Sequence, residues 1–112
     1  MSVSLFIQYC DSDKQSDIIP VATEENFREY WQPICKYLDL KLVPLFQTGL
    51  PVIREDTPFI VDELLQIKDF LFSKENSSMS ADIAEHIVSR IENLLIGLKQ
   101  ISESPDIKEA GF

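Results

Sequence analysis

The chain has 112 residues, 45% of them hydrophobic, and nineteen Asp and Glu oppose ten Lys and Arg for a formal charge of −9. That length and composition suit a single domain with a real core, and the charge repels phosphate backbones and anionic membranes, which excludes nucleic acid and lipid as partners. Cys10 and Cys35 are too few for a disulfide scaffold and fit no zinc spacing; both read as buried, reduced thiols.

Met1-Ser2-Val3-Ser4 carries no positive charge ahead of its apolar run. Apolar runs such as Phe59-Ile60-Val61 fall far short of the roughly 20 residues of a membrane span. No secretion signal or anchor is expected, and a cytoplasmic location follows. Over residues 3–9, Val3, Leu5, Ile7 and Tyr9 alternate with Ser4, Phe6 and Gln8, the period of two of a strand. Residues 10–22 read as a polar loop carrying Asp11, Asp13 and Asp17. Thr23 is placed as a helix cap, with Glu24 and Glu25 in the first turn, where the helix dipole favours them. The helix buries Phe27, Tyr30, Trp31, Ile34, Cys35 and Leu38 on one face, and Pro33 either kinks it or restarts it.

Residues 40–46 read as a second strand weakened by Pro44, and 50–54 as a third, after the turn Gln47-Thr48-Gly49. Pro44 and Pro51 assign this pair to sheet edges. Thr57-Pro58 predicts a helix start, a capping hydroxyl followed by proline at the first position. That helix runs to Phe72, with Ile60, Leu64, Ile67 and Leu71 in line. Phe59, Val61, Leu65, Phe70 and Phe72 widen its apolar surface, so a central position is expected. Residues 74–78 read as a surface loop. Ser80 caps the last helix, whose seam is Ile83, Ile87, Ile91, Leu94, Leu98 and Ile101. Gly97 inside it costs about 1 kcal/mol against alanine, which close packing explains. The tail after Pro105 is expected to fray, leaving 1–104 as the folded core of one domain. The architecture is α+β: mostly helical, with a short two- or three-stranded sheet and a long C-terminal helix.

Chemistry finds little to use. An EF-hand loop counted from Asp11 wants glycine sixth and glutamate twelfth, where Ser16 and Ala22 stand. His86, the one histidine, is placed on the polar side of the last helix. Neither cysteine has the electropositive surroundings of a nucleophilic thiol. Gly49, Gly97 and Gly111 are too scattered for a phosphate loop. No catalytic, cofactor-binding or metal-binding residues are therefore assigned. Tyr30 and Trp31 fit the core as well as they fit a binding hot spot. The acids cluster: Asp11, Asp13, Asp17, Glu24 and Glu25 surround one connection, and Glu55, Asp56, Asp62 and Glu63 form a second focus. The expected contact face is Asp11, Asp13, Asp17, Glu24, Glu55, Asp56, Asp62 and Glu63.

The layout runs from the N-terminal strand and the connection Asp11 to Asp17 through the helix Phe27-Arg28-Glu29-Tyr30-Trp31. It continues with Thr57-Pro58 opening Asp62-Glu63-Leu64-Leu65, and closes on Arg90-Ile91-Glu92-Asn93-Leu94. In this it resembles the immunity proteins of bacterial contact-dependent inhibition and related polymorphic toxin systems. The resemblance implies a cytoplasmic binding protein, monomer or weak dimer, that is not an enzyme and needs no cofactor. Its partner would be a cognate toxin, basic if it is a nuclease, whose active or substrate-binding surface it blocks. The alternative is a small acidic adaptor or chaperone-like module that offers its long Ile/Leu helix to a partner.

Overall fold

A computed structural model describes residues 2–11, 13–73 and 79–112, so the loop expected at 74–78 lies outside the described residues. The alternation at the N-terminus becomes β1 (Ser2–Tyr9), which buries Val3, Leu5, Ile7 and Tyr9. β2 (Asp17–Thr23) pairs with it antiparallel, Ile7 opposite Asp17 and Ser2 opposite Thr23. Half of the expected 10–22 loop is thus a strand. Its period was hidden because the register shifts where Val3 meets Ala22 and Ser4 meets Pro20, which leaves Val21 as an extra, buried residue. A bulge and a proline on an edge strand also deter pairing with another chain.

Residues 24–38 form one helical rod in three parts: α1 (Glu24–Asn26), a π-helical turn (Phe27–Trp31) and α2 (Gln32–Leu38). Thr23 caps it as expected, its hydroxyl accepting from Asn26 N–H at 3.1 Å. Pro33 does not break the rod: it stands in the first turn of α2, as a restart requires, and the π-helical turn joins α2 to α1 without a gap. Gln32 N–H reaches back five residues to the Phe27 carbonyl, and this wider turn just before the proline accommodates a ring that would crowd an α-helical carbonyl. Asp39 ends the rod in the left-handed region (φ 57°), and Leu40 N–H bonds the Cys35 carbonyl at 2.9 Å, the αL termination that Asp tolerates better than most residues.

The strand expected at 40–46 is instead a 3-10 turn over Val43–Phe46, with Pro44 near its start. The expected third strand shrinks to Leu50–Val52. Leu50 and Phe112 exchange backbone bonds at 2.8 and 3.2 Å, and Val52 N–H reaches the Ala110 carbonyl at 2.9 Å. These bonds line the edge of β3 (Ile107–Gly111), which pairs antiparallel with β1 and gives the sheet order β2-β1-β3. The tail after Pro105 therefore does not fray. Ala110 is buried, and Phe112 stacks on Phe46 with ring centroids 3.6 Å apart.

A short 3-10 turn (Arg54–Asp56) leads into α3 (Thr57–Leu71). Thr57 is not an accepting cap: its hydroxyl donates to the Arg54 carbonyl at 2.8 Å. Nor is α3 central. Ile60, Leu64, Ile67 and Leu71 are buried, but Phe59 is 65% and Phe72, just past the helix, 71% exposed. α4 (Ala81–Glu103) is capped by Ser80, which accepts from Ile83 N–H at 3.3 Å. It runs antiparallel to α3, as Lys68 beside Glu92 at 3.6 Å and a shared groove joining Pro58 to Ser102 show. Its seam from Ile87 to Ile101 is buried, with Ile83 half-buried at the start. The core lies between the inner face of the sheet, the rod, α3 and α4. Phe27 and Trp31 stack there at 5.6 Å.

Because β3 completes the sheet, removing residues 105–112 should abolish two-state thermal unfolding or lower the midpoint by at least about 5 °C, the effect of roughly 1 kcal/mol in a domain of this size. Calorimetry of the shortened chain checks this; an unchanged midpoint would mean that the tail carries none of the fold.

Candidate partner-binding face

The acids sort differently in space than along the chain. At the end of β1, the Asp11 carboxylate accepts from Asp13 N–H at 2.9 Å, a local turn that holds both side chains at the exposed tip. Asp17 opens β2 and accepts from the Tyr9 hydroxyl at 2.5 Å, and that hydroxyl accepts from Gln100 Nε2 at 2.7 Å. This ties the connection to the last turns of α4. Burial, then the hydrogen bond to Asp17 and the charges of Asp17 and Asp106, push the Tyr9 phenol up to about 12.

Asp106, just before β3, completes the junction. Its carbonyl accepts from Cys10 N–H at 2.7 Å, and its carboxylate faces Lys14 Nζ at 3.3 Å and the Ser104 hydroxyl. The Ser104 bond, then the Lys14 bond and charge, hold this carboxyl below its ordinary range. Lys14 also lies over the Tyr9 ring, 4.1 Å from its centroid. Arg54 donates to the Ser104 carbonyl at 3.2 Å, which brings Glu55 and Asp56 to the same end of the molecule. The carbonyl end of α4 emerges here with no basic residue in its last turn, adding about half a negative charge. Asp11, Asp13, Asp17, Glu55 and Asp56 thus lie toward one end of the molecule with Glu103 and Asp106, an end that Lys14, Arg54 and Lys108 share.

Three expected contact residues do not join them. Glu24 follows Thr23 at the far end of β2, seven residues from Asp17, roughly 23 Å at 3.3 Å per residue. Asp62 stands exposed on α3, accepting from Gln66 at 2.9 Å. Glu63 is not on the surface at all. It is buried, and its carboxylate accepts from Leu42 N–H and Val43 N–H at 3.0 Å, capping the 3-10 turn that replaces the expected strand. A carboxylate takes the orphan donors of a helical turn well, and the signal was in the helical spacing: Glu63 falls three residues after Ile60 and four before Ile67, on the buried side, whereas Asp62 falls opposite,. Asp106 escaped the sequence reading because it follows Pro105 in a segment expected to fray.

Of the two thiols expected to be buried, one is. Cys35 is buried, and burial, with the Glu63 charge second, pushes its thiol up to about 12; Cys10 is exposed rather than buried. His86 is exposed, its Nε2 accepting from Arg90 at 3.5 Å. Among the described residues, no three His, Cys, Asp or Glu side chains are grouped to hold a metal ion, and no helix is long and apolar enough to cross a membrane. Comparisons with protein-family models, with curated proteins and with solved structures return no match.

Two expected outcomes follow from this geometry. Glu63→Ala should cost about 2–4 kcal/mol in urea unfolding, since charge-assisted bonds to buried donors are lost, while Asp62→Ala should stay within about 0.5 kcal/mol. For Tyr9, the folded state keeps its proton above the ordinary value of 10.0 and up to about 12. Its contribution to stability is therefore complete below pH 10 and lost as pH rises toward 12. Tyrosinate absorbance should show a component ionising late, and Tyr9→Phe should remove that component.

Proposed function

We propose that the chain is a binding protein of the immunity type, cytoplasmic and without catalysis of its own, that neutralises a basic toxin domain by covering its active or substrate-binding surface. The observation that carries this reading is the excess of exposed acids, Asp11, Asp13, Glu55, Glu103 and the half-buried Asp56 and Asp106, over Lys14, Arg54 and Lys108 toward the end of the molecule where α4 terminates. Toxins that cleave nucleic acid present cationic surfaces to phosphates, and carboxylates fixed at one end of a domain stand in for those phosphates. Such a field speeds encounter more than it strengthens the final complex.

The alternative, an adaptor that offers its long Ile/Leu helix, has less to draw on. That seam is spent in the chain's own core, and the large apolar side chains left exposed on α3 and α4 are Phe59, Leu65 and Ile96.

The test uses the toxin domain encoded beside this chain's gene, with growth rescue and association kinetics as readouts. Asp11→Asn, Asp13→Asn and Glu55→Gln together should slow association about tenfold at low salt, and the difference should shrink as salt rises. Asp17 is left intact because it anchors Tyr9. If association is unchanged by the triple variant and by salt, the acidic face is not the binding face. If the neighbouring domain is neither toxic nor bound, the immunity reading fails.

A further inference from the structure

We propose that the outer face of the α3–α4 pair docks a second copy of this chain, face to face, about a twofold axis that crosses both helices at Leu65 and Leu95. The inner faces of the two helices are buried in the core. On the outside they enclose a groove of about 410 Å³ between Pro58, Val61 and Leu65 of α3 and Leu95, Lys99 and Ser102 of α4. Pro58, Val61, Leu65, Lys68 and Phe72 follow one another at three and four residues, and so do Val88, Glu92, Leu95, Lys99 and Ser102. That spacing sets each group on one stripe of its helix. Leu65 is 43% exposed, Phe72 71%, and Ile96 beside the α4 stripe 67%. Apolar side chains aligned on two neighbouring helices form a surface to which another helix face fits.

The charges along the stripes decide what fits. In α3, Asp62 stands three residues before Leu65 and Lys68 three residues after it. In α4, Glu92 stands three residues before Leu95 and Lys99 four residues after it. Each helix therefore carries an acid on one side of its central leucine and a base at nearly the same distance on the other. The two centres are level, because the helices run antiparallel with Lys68 beside Glu92 at 3.6 Å and Pro58 across the groove from Ser102. A twofold axis at that level lays each helix, reversed, on its own copy. Asp62 then meets the second copy's Lys68, Glu92 meets its Lys99, and Leu65 meets its Leu65. Pro58 and Phe72, seven residues to either side of Leu65, meet each other. Within one chain these charges are not used up. Lys99 makes no ion pair among the described residues, and Asp62 accepts from Gln66 rather than from a cation.

The same reversal sends the acidic ends, marked by Glu55 and Glu103, to opposite ends of the dimer, which favours self-association of a chain with charge −9,. A twofold along the helices would set those ends side by side. The face is as long as the fifteen residues of α3, about 22 Å, and two helix diameters wide, about 20 Å. Docking covers roughly 900 Å² over both copies, within the weak class below about 1,200 Å², so monomer and dimer exchange. Both acidic ends stay open, and the dimer does not rest on the toxin-binding reading.

Sedimentation equilibrium of the full chain from about 10 μM to 1 mM tests this, and the mean mass should climb from one chain toward two. Leu65→Glu should hold the chain as a monomer. Phe59→Glu, on the same helix but outside the groove, should leave the dimer as it is. Lys99→Glu and Glu92→Lys should each weaken self-association about tenfold, because each sets like charges together twice across the axis. Mixed in equal amounts, these two variants should associate with one another as wild type does, since each supplies the charge that the other now faces. The acidic-end variant, Asp11→Asn with Asp13→Asn and Glu55→Gln, should dimerise at least as well as wild type. A single mass up to about 1 mM, a dimer that survives Leu65→Glu, equal loss from Phe59→Glu, a mixture that stays monomeric, or weaker association of the acidic-end variant would each overturn the assignment. Toxin association is measured apart from all of these, so the two readings fail separately.

Discussion

Helix α4 rests on the sheet at Gly97, where a Cβ would stand 2.4 Å from Ile19 Cδ1 and 3.2 Å from Leu5 Cδ2. A residue without a side chain lets the helix approach β1 and β2 this closely, and much else follows from that depth. Ile87, Ile91, Leu94, Leu98 and Ile101 reach the interior together, each fully buried side chain contributing about 1.5–3 kcal/mol. Gln100 is carried to the Tyr9 hydroxyl, and the turn at Ser104 returns the chain to pair with β1. The carbonyl end of α4 is thereby set beside the β1–β2 connection, whose carboxylates have the same sign. Like charges so gathered oppose folding. Lys14 at Asp106 and Arg54 at the Ser104 carbonyl lie where they relieve it.

Features that depend on a few neighbouring residues were legible in the sequence. Thr23 and Ser80 cap the helices they were expected to cap, and the seam of α4 is buried as its spacing predicts. The same holds for Gly97, whose cost in helix propensity points to a close neighbour. What the sequence hid was pairing. β2 was obscured by the bulge at Val21 and by Pro20, and β3 shows no periodic signal because Lys108 falls at a second register shift opposite Gln8 and Tyr9. A five-residue edge strand takes its order from its partner, and no local pattern announces that partner.

The candidate face shows the same division. Charge at a position is visible in the sequence, but the neighbours of that charge are set by the fold. Asp17 and Glu24 are seven residues apart in the chain and sit at opposite ends of β2, while Asp17 and Asp106 meet around Tyr9. Glu63 illustrates the converse. Pro44 favours a helical turn over a strand, that turn leaves N–H groups unpaired, and a buried carboxylate one helix away satisfies them. The acid beside it in sequence, Asp62, points to solvent because one residue on a helix is a rotation of about 100°.

Carboxylates at one end of the molecule act before contact is made. The molecule measures 46 × 26 × 22 Å, and a standard interface covers about 800 Å² per partner, a patch shorter than the long axis. Exposed carboxylates attract over roughly a Debye length, about 8 Å at physiological salt, and so govern the rate of approach. Their loss lowers the association rate and its salt dependence, whereas loss of a contact made only in the bound complex raises the dissociation rate. A partner whose association rate alone responds to Glu55→Gln is therefore steered by that carboxylate. One whose dissociation rate also responds is held by it.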